Sequence, residues 1–264
     1  MNFENTVVWV TGASSGIGKA LALEFSKQGA TLVLSARNEE ALRDVKEACM
    51  HVEKVKIVLL NLEEHATIQE KVAEGIAQFG RVDVLVNNGG VSQRSLASET
   101  SVLVDKQIMD VNYIGTVALT KALLPHFIEN KKGQFVVTTS IVGKIGTPLR
   151  SSYAASKHAL HGFFDSLRAE IYKHTIFVTI VCPGFVNTNV SINALTGDGS
   201  PQQKMDAATK NGMDPKSFAK LMIRAILHKK EEVYIAGFKE KLGVYLKRYY
   251  PRLLSRMIRK MRVT

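Results

Sequence analysis

Seven short apolar runs recur along the chain. Most are followed by a stretch in which apolar positions return every three or four residues. Val7-Val-Trp-Val10, Thr31-Leu-Val-Leu-Ser-Ala36, Val55-Lys-Ile-Val-Leu-Leu60, Asp83-Val-Leu-Val-Asn-Asn88, Gln134-Phe-Val-Val-Thr-Thr-Ser140, Ile176-Phe-Val-Thr-Ile-Val-Cys182 and Glu232-Val-Tyr-Ile-Ala236 read as strands. Mostly β-branched or aromatic and uncharged, they suit a parallel sheet buried on both faces. Helices are expected from Lys19 onward, over Glu39–Met50, over Glu64–Phe79 before Gly80, over 99–130 with a boundary near Asn112, and over Ser151–Lys173. Asp214-Pro215 caps and starts another. Residues 187–213 show no clear period and hold Gly197, Gly199, Pro201 and Gly212. Alternating βα units imply an α/β fold, a parallel sheet with helices on both faces. The expected organisation is one domain, residues 1–236, followed by a C-terminal tail, residues 237–264.

The first strand runs into Thr11-Gly-Ala-Ser-Ser-Gly-Ile-Gly18 and then into a helical pattern. A strand, a glycine turn and a helix N-terminus in succession make an anion site. Backbone amides without intrahelical partners point at the ligand, and glycines let a pyrophosphate approach the main chain. The spacing is Gly-x-x-x-Gly-x-Gly rather than the common Gly-x-Gly-x-x-Gly, so the turn alone does not fix the ligand.

With 264 residues, 45% of them hydrophobic, the chain can fill one large core. No run approaches the roughly 20 apolar residues of a membrane span, and residues 1–5 are too short and polar for a signal peptide. Cys49 and Cys182 offer neither a disulfide framework nor metal spacing, so a cytoplasmic location is expected. His158 and His161 lie three apart with no neighbouring cysteine or acid cluster, and the other histidines are scattered, so no metal is expected. The charge is localised. Residues 238–264 hold nine basic side chains and one acid, Glu240, a net +8 of the chain's +11. The nearly neutral body argues against a nucleic-acid binder.

Tyr153 and Lys157 sit four apart at the start of a helix and share a face. A tyrosine hydroxyl titrates near ~10, too high for acid–base work at neutral pH, and an adjacent ammonium lowers it. Ser140, ending the fifth strand, could donate to a carbonyl oxygen at the carboxyl edge of the sheet, where ligands of such folds bind. Taken alone, Tyr-x-x-x-Lys arises by chance on many helices.

Its place in the chain changes that. Thr11–Gly18, Asn87-Asn-Gly-Gly90, Asn112, Ser140, Tyr153-Ala-Ala-Ser-Lys157 and Pro183-Gly184 match, in order and spacing, the motifs of the classical short-chain dehydrogenase/reductase family. Over about residues 6–235 the chain resembles that family. The resemblance implies a Rossmann-type, doubly wound, seven-stranded parallel sheet and hydride transfer between a nicotinamide cofactor and a carbonyl or alcohol. It makes Tyr153 the acid in reduction and the base in oxidation. Lys157 would lower the Tyr153 pKa and hold the nicotinamide ribose, Ser140 would polarise the carbonyl, and Asn112 would hold a water relaying protons to Lys157. The cofactor is expected against Gly12, Ser14, Ser15, Gly16, Ile17, Gly18, Arg37, Asn61, Leu62, Asn88, Pro183, Gly184, Val186 and Thr188, together with Tyr153 and Lys157. Gly89 stands where the family usually has alanine, which only removes a methyl. Asn61 stands where it usually has aspartate, which implies weaker adenine recognition. A homodimer or homotetramer is implied through helices spanning about 112–130 and 151–173, where Val117, Ala118, Ala122 and Leu123 suit close contact.

Ser35-Ala-Arg-Asn38, at the end of the second strand, has no acid until Glu39, whereas NAD readers place one there for the ribose 2′-hydroxyl. Arg37 can grip a 2′-phosphate instead, so NADP(H) is the expected cofactor. Residues 88–95, 117–125 and 191–200 resemble the member-seven branch of the family, a membrane-associated group that tends toward lipophilic carbonyls. The expected substrate is a lipophilic ketone or alcohol, such as a lipid, steroid or retinoid. The competing readings are a nucleotide sensor without turnover and a membrane-surface scaffold. After Pro251, Leu253, Leu254, Met257, Ile258 and Met261 form one helical stripe and basic residues take the rest. Such a helix either lies on an anionic membrane or packs its stripe on the body or a second subunit, and the pattern leaves both open.

Overall fold

The computed structural model describes residues 2–259. Strands β1 (Val7–Thr11), β2 (Thr31–Ser35), β3 (Val55–Ile57), β4 (Val84–Asn87), β5 (Gly133–Thr138), β6 (Ile176–Pro183) and β7 (Glu232–Ile235) form one sheet in the order β3-β2-β1-β4-β5-β6-β7. Every pairing is parallel. Winding reverses between β1 and β4, so their carboxyl ends flank a crevice.

The helices are α1 (Gly16–Lys27), α2 (Glu39–Glu47), α3 (Ile68–Ala77), α4 (Val102–Met109), α5 (Gly115–Glu129), α6 (Ser151–Ile171), α7 (Ala207–Lys210), α8 (Pro215–Leu227), α9 (Phe238–Tyr249) and α10 (Pro251–Ile258). Successive strand side chains point to opposite faces, and each face has its own core. Val8, Val10, Leu32 and Leu34 pack with Phe25 of α1, Leu42 of α2 and Phe218 of α8. Trp9, Leu85, Phe135 and Ile180 pack on the other side with Val72 of α3, Leu119 of α5 and Phe164 of α6. Asn38 and Asp214 cap α2 and α8 through side-chain oxygens that accept from Ala41 N and Ser217 N, each at 2.9 Å.

The boundary expected near Asn112 is a π-helical turn, Asp110–Ile114, that divides the stretch into α4 and α5. Four departures from the sequence pattern stand beside it. Leu123 is fully buried in its own core, whereas Val117, Ala118 and Ala122 remain partly exposed on α5. Residues 187–213 are held by bridges, Val186 with Met213 and Leu195 with both Gln93 and Pro201. Helix α9 had no clear period to announce it. The tail stripe is divided. Leu254 is 4% exposed and belongs to the core, while Leu253 and Met257 are about half exposed. Lys260, Met261 and Arg262 lie outside the described residues. Among the described residues no helix is long and apolar enough to cross a membrane.

Gly75 of α3 lies over the Trp9 ring, which is pinned because its Nε1 donates to Ser35 Oγ at 2.8 Å and Ser35 Oγ donates to Val58 O at 2.6 Å. A Cβ at Gly75 would come within 2.6 Å of that ring. Gly75→Ala is expected to lower the unfolding free energy by about 1–3 kcal/mol in a urea titration. An unchanged midpoint would show that α3 can move away from β1.

Candidate active site

The turn after β1 is shaped by close backbone approach. Gly12 and Gly16 adopt φ of +63° and +53°, which L side chains rarely tolerate. A Cβ at Gly12 would also sit 2.8 Å from Gly89 Cα, and one at Gly18 would collide with the Gly12 carbonyl. Thr11 Oγ1 fastens this turn to the end of β4: it donates to Val86 O and accepts from Asn88 N and Gly89 N, both at 3.0 Å. Asn88 Nδ2 donates to Thr11 O at 3.2 Å. Ser15, at the N-cap of α1, makes no side-chain cap, and the first turn carries no acid. The leading amides of α1 therefore face the crevice uncapped, which suits a phosphate.

An open cleft of about 640 Å³ runs along the carboxyl edge of the sheet. It brings together Gly12, Ser14, Ser15, Gly16, Ile17, Arg37, Asn61, Leu62, Asn88, Ser140, Tyr153, Lys157, Pro183, Gly184, Val186 and Thr188. Of the residues singled out in the sequence, only Gly18 and Asn112 do not line it. Gly18 lies behind the turn and Asn112 beneath the floor. Arg37 is exposed and has no hydrogen-bond or ion-pair partner among the described residues; Glu39, the next acid along the chain, pairs with Arg43 at 2.5 Å. Asn61 is engaged locally: Oδ1 accepts from Glu63 N and Nδ2 donates to Glu64 Oε1. A Cβ at Gly89 would come within 2.9 Å of Leu62 Cδ1, a side-chain tip that can turn aside.

Ser140, Tyr153 and Lys157 meet where β5 ends and α6 begins. Ser140 Oγ accepts from Val142 N at 3.1 Å, which leaves its own hydrogen free to donate. Lys157 Nζ donates to Thr138 O at 2.9 Å and lies 5.8 Å from the Tyr153 ring centroid. Asn112 is fully buried. Its Nδ2 donates to Val91 O and Ser156 Oγ, and its Oδ1 accepts from Val91 N at 2.8 Å, so the side chain clamps the segment after β4. Residues 150–153 take their cap from elsewhere. Gln93, buried, accepts at Oε1 from Ser152 N at 2.9 Å and Tyr153 N at 3.3 Å. Its position three residues past the motif ending at Gly90, inside the 88–95 stretch that carries the branch resemblance, gave no sign of this role.

Burial dominates the electrostatics. It lowers the Lys157 ammonium to about 8 and raises the Tyr153 phenol above its ordinary value. The groups opposing the rise at Tyr153 are the Arg150 guanidinium, Ser140 and Arg94. Two arginines that the motifs do not include, Arg150 and Arg94, thus add positive charge that acts on Tyr153. Cys182, buried beside Thr139 and His161, is pushed up to about 12 and is inert as a nucleophile. Glu240, the lone acid of residues 238–264, also reaches the site. Its Oε1 accepts from Phe185 N at 2.8 Å and its Oε2 from Gly237 N at 2.5 Å, tying the loop after β6 to the first turn of α9.

Comparison with known proteins agrees with this architecture. Residues 6–198 match the family model described as short chain dehydrogenase. The chain is 44% identical over 256 residues to dehydrogenase/reductase SDR family member 7B of Xenopus laevis, covering 94% of this chain and 79% of that protein. It is 43% identical to the Bos taurus protein of the same name, covering 96% and 80%. A Drosophila melanogaster dehydrogenase/reductase SDR family protein 7-like is 40% identical, covering 94% and 77%. Among solved structures, a short-chain dehydrogenase from Streptomyces avermitilis superposes with a TM-score of 0.79 at 29% identity, covering 96% and 95%. A Burkholderia phymatum short chain dehydrogenase/reductase in complex with NAD reaches 0.83 at 24% identity, covering 96% of each chain, and shares the fold.

Proposed function

The chain belongs to the short-chain dehydrogenase/reductase family, and on that premise we propose that it is an NADPH-dependent carbonyl reductase or alcohol dehydrogenase acting on lipophilic substrates. The observation that carries this reading is the meeting of Ser140, Tyr153 and Lys157 in one cleft with the glycine turn and Arg37. A bound dihydronicotinamide would supply the hydride. In reduction, the free hydrogen of Ser140 Oγ polarises the carbonyl oxygen, and the Tyr153 hydroxyl gives that oxygen its proton as the alcohol forms. Lys157 holds the nicotinamide ribose and stands next to Tyr153 in the path by which a proton returns. Asn112, whose side chain clamps Val91, keeps that floor in place and so positions a relay water.

Preference for NADPH rests on Arg37. It is the unpaired cation at the end of β2, where no carboxylate is available to a 2′-hydroxyl, and its planar fork suits a phosphate. A lipophilic substrate is supported by the apolar cleft walls at Val190, Leu195 and Pro201. Assembly as a homodimer or homotetramer is supported by the partly exposed Val117, Ala118 and Ala122 of α5, and by a strip of small residues on α6 formed by Ala155, Ala159, Gly162, Ser166 and Ala169. The tail suits an anionic membrane surface. Tyr245, Tyr249, Tyr250, Leu253 and Met257 are exposed among Lys247, Arg248, Arg252 and Arg256.

Tyr153→Phe is expected to bind NADPH as the parent does and to lose most turnover, since it removes the proton and keeps the ring; retention of more than about a tenth of the activity would defeat the proposed chemistry. Arg37→Ala is expected to weaken NADPH binding roughly ten- to hundredfold, the loss of about 1.5–3 kcal/mol, with NADH nearly unaffected. Equal losses for the two cofactors in a titration would assign Arg37 to the fold. The double variant Arg252→Glu, Arg256→Glu is expected to stop sedimenting with anionic liposomes while light scattering still gives a multiple of 29.1 kDa. Retained sedimentation would remove the membrane reading, and a 29.1 kDa monomer in the parent protein would remove the assembly reading.

A further inference from the structure

The first turn of α6 carries Tyr153, and the chain leading into it supplies no side-chain cap. Arg150, at the N-cap position, makes no such bond, the first turn holds no acid, and Leu149 before it adopts a left-handed φ of 64°. A helix begins with amides that have no intrahelical partner, and where they are enclosed an acceptor has to come from elsewhere. Gln93, fully buried in the segment after β4, provides it. Its Oε1 accepts from both Ser152 N at 2.9 Å and Tyr153 N at 3.3 Å. A backbone amide can only donate, so the oxygen has to face the helix and the side chain cannot be turned over. Its Nε2 then falls among the hydroxyls of Thr100, Ser151 and Ser95, at 3.0, 3.3 and 3.4 Å. Asp105 of α4 accepts from Ser152 Oγ on the same turn.

The backbone around Gln93 is fastened to a wall of the cleft. Leu195 N donates to Ser92 O at 2.9 Å and Arg94 N donates to Leu195 O at 2.8 Å, which holds Leu195 alongside Gln93. Leu195 lines the cleft with Val190, Asn193 and Pro201, whereas Gln93 does not reach it. The far end of that wall is tied to the same place: Arg94 Nε donates to Asp206 Oδ2 at 2.8 Å, and Asp206 N donates to Ser191 Oγ at 3.2 Å. Ser95 N also donates to Leu149 O at 3.3 Å, just before α6. The main chain of residues 92–95 thus follows the wall, while the Gln93 side chain follows the helix.

We propose that Gln93 is a positioning residue for Tyr153, which makes the placement of the phenol conditional on the docking of residues 191–206 against residues 92–94. The proposal rests on the cleft being a reductase site, and it gives Gln93 no contact with substrate or cofactor. Proton transfer needs the Tyr153 oxygen within hydrogen-bond reach of the carbonyl oxygen, and a misplacement of about 1 Å can cost on the order of a hundredfold in rate. Gln93 therefore acts on the chemical step and not on affinity for the cofactor.

Variants of the full chain test this with decanal and a long-chain methyl ketone as substrates. Gln93→Met keeps the length of the side chain and removes the acceptor. It is expected to lower kcat about ten- to hundredfold, with the NADPH dissociation constant within about twofold of the parent. Gln93→Glu, which keeps oxygens for both amides at the positive end of the helix, is expected to recover most of that kcat. Gly75→Ala, destabilised away from the cleft, is expected to keep it. Amide exchange followed by NMR reads the placement without turnover. Exchange at Ser152 and Tyr153 is expected to accelerate about tenfold or more in Gln93→Met and to slow again in Gln93→Glu. Asp206→Asn, which loosens the wall, is expected to accelerate the same two amides. If Gln93→Met does not fold, Gln93→Asn, which withdraws the oxygen by one methylene, takes its place. Unchanged exchange at Ser152 and Tyr153 in that variant, or a kcat loss that Gln93→Glu does not recover, overturns the positioning role. Unchanged exchange at Tyr153 in Asp206→Asn overturns its dependence on the wall. If the parent reduces no carbonyl while the exchange pattern holds, the placement of Tyr153 stands and the reductase reading falls.

Discussion

The backbone approach between the turn after β1 and the end of β4 is the constraint on which the rest of the cleft depends. Gly12 and Gly89 meet so closely that one methyl group would push them apart, and the Thr11 hydroxyl bonds to β4 and its exit on the other side of the contact. The reversal of winding between β1 and β4 opens a crevice; this contact sets how wide it is. With the turn held there, the uncapped amides of α1 face the cleft, and Leu62 can lie across Gly89. A wider gap would displace the phosphate-facing turn from the β4 exit that Asn112 clamps through Val91.

Charge in this site is governed by burial more than by pairing. Lys157 and Tyr153 are enclosed at their polar ends, and the apolar surroundings disfavour the charged form of each. Asp206, the carboxylate between Arg94 and Arg150, is committed to Arg94. Both arginines oppose the upward shift of Tyr153. Such surroundings favour a developing oxyanion over a cation.

Much of this was legible in the residues. The seven strands were readable because a sheet buried on both faces tolerates almost nothing polar, and the glycine turn because positive φ and close approach leave glycine few rivals. Tyr153 and Lys157 were found because their spacing is local and their neighbours carry a family pattern. What escaped depends on partners far apart in the chain. Gln93 caps residues 152–153 from about sixty residues away, and Arg94 meets Asp206 across 112 positions. Residues 187–213 are ordered by bridges and side-chain contacts rather than by a repeating apolar face, so no periodicity marked them. Helix α9 buries only Gly243, and a helix that covers so little leaves no apolar stripe to read. The local bonds of Asn61, to Glu63 N and Glu64 Oε1, likewise could not be read from the motif.

Glu240 binds two events into one equilibrium. A single carboxylate receives the amide of Phe185 in the loop after β6 and the amide of Gly237 at the start of α9. Any occupant of the cleft that steadies Phe185 strengthens its half of that arrangement, and thereby firms the first turn of the helix outside. By linkage the reverse holds with equal strength: whatever immobilises α9 from the exterior tightens the loop over the cleft. The basic C-terminal segment is in this sense a handle on the interior, and affinity at one end is reported as order at the other.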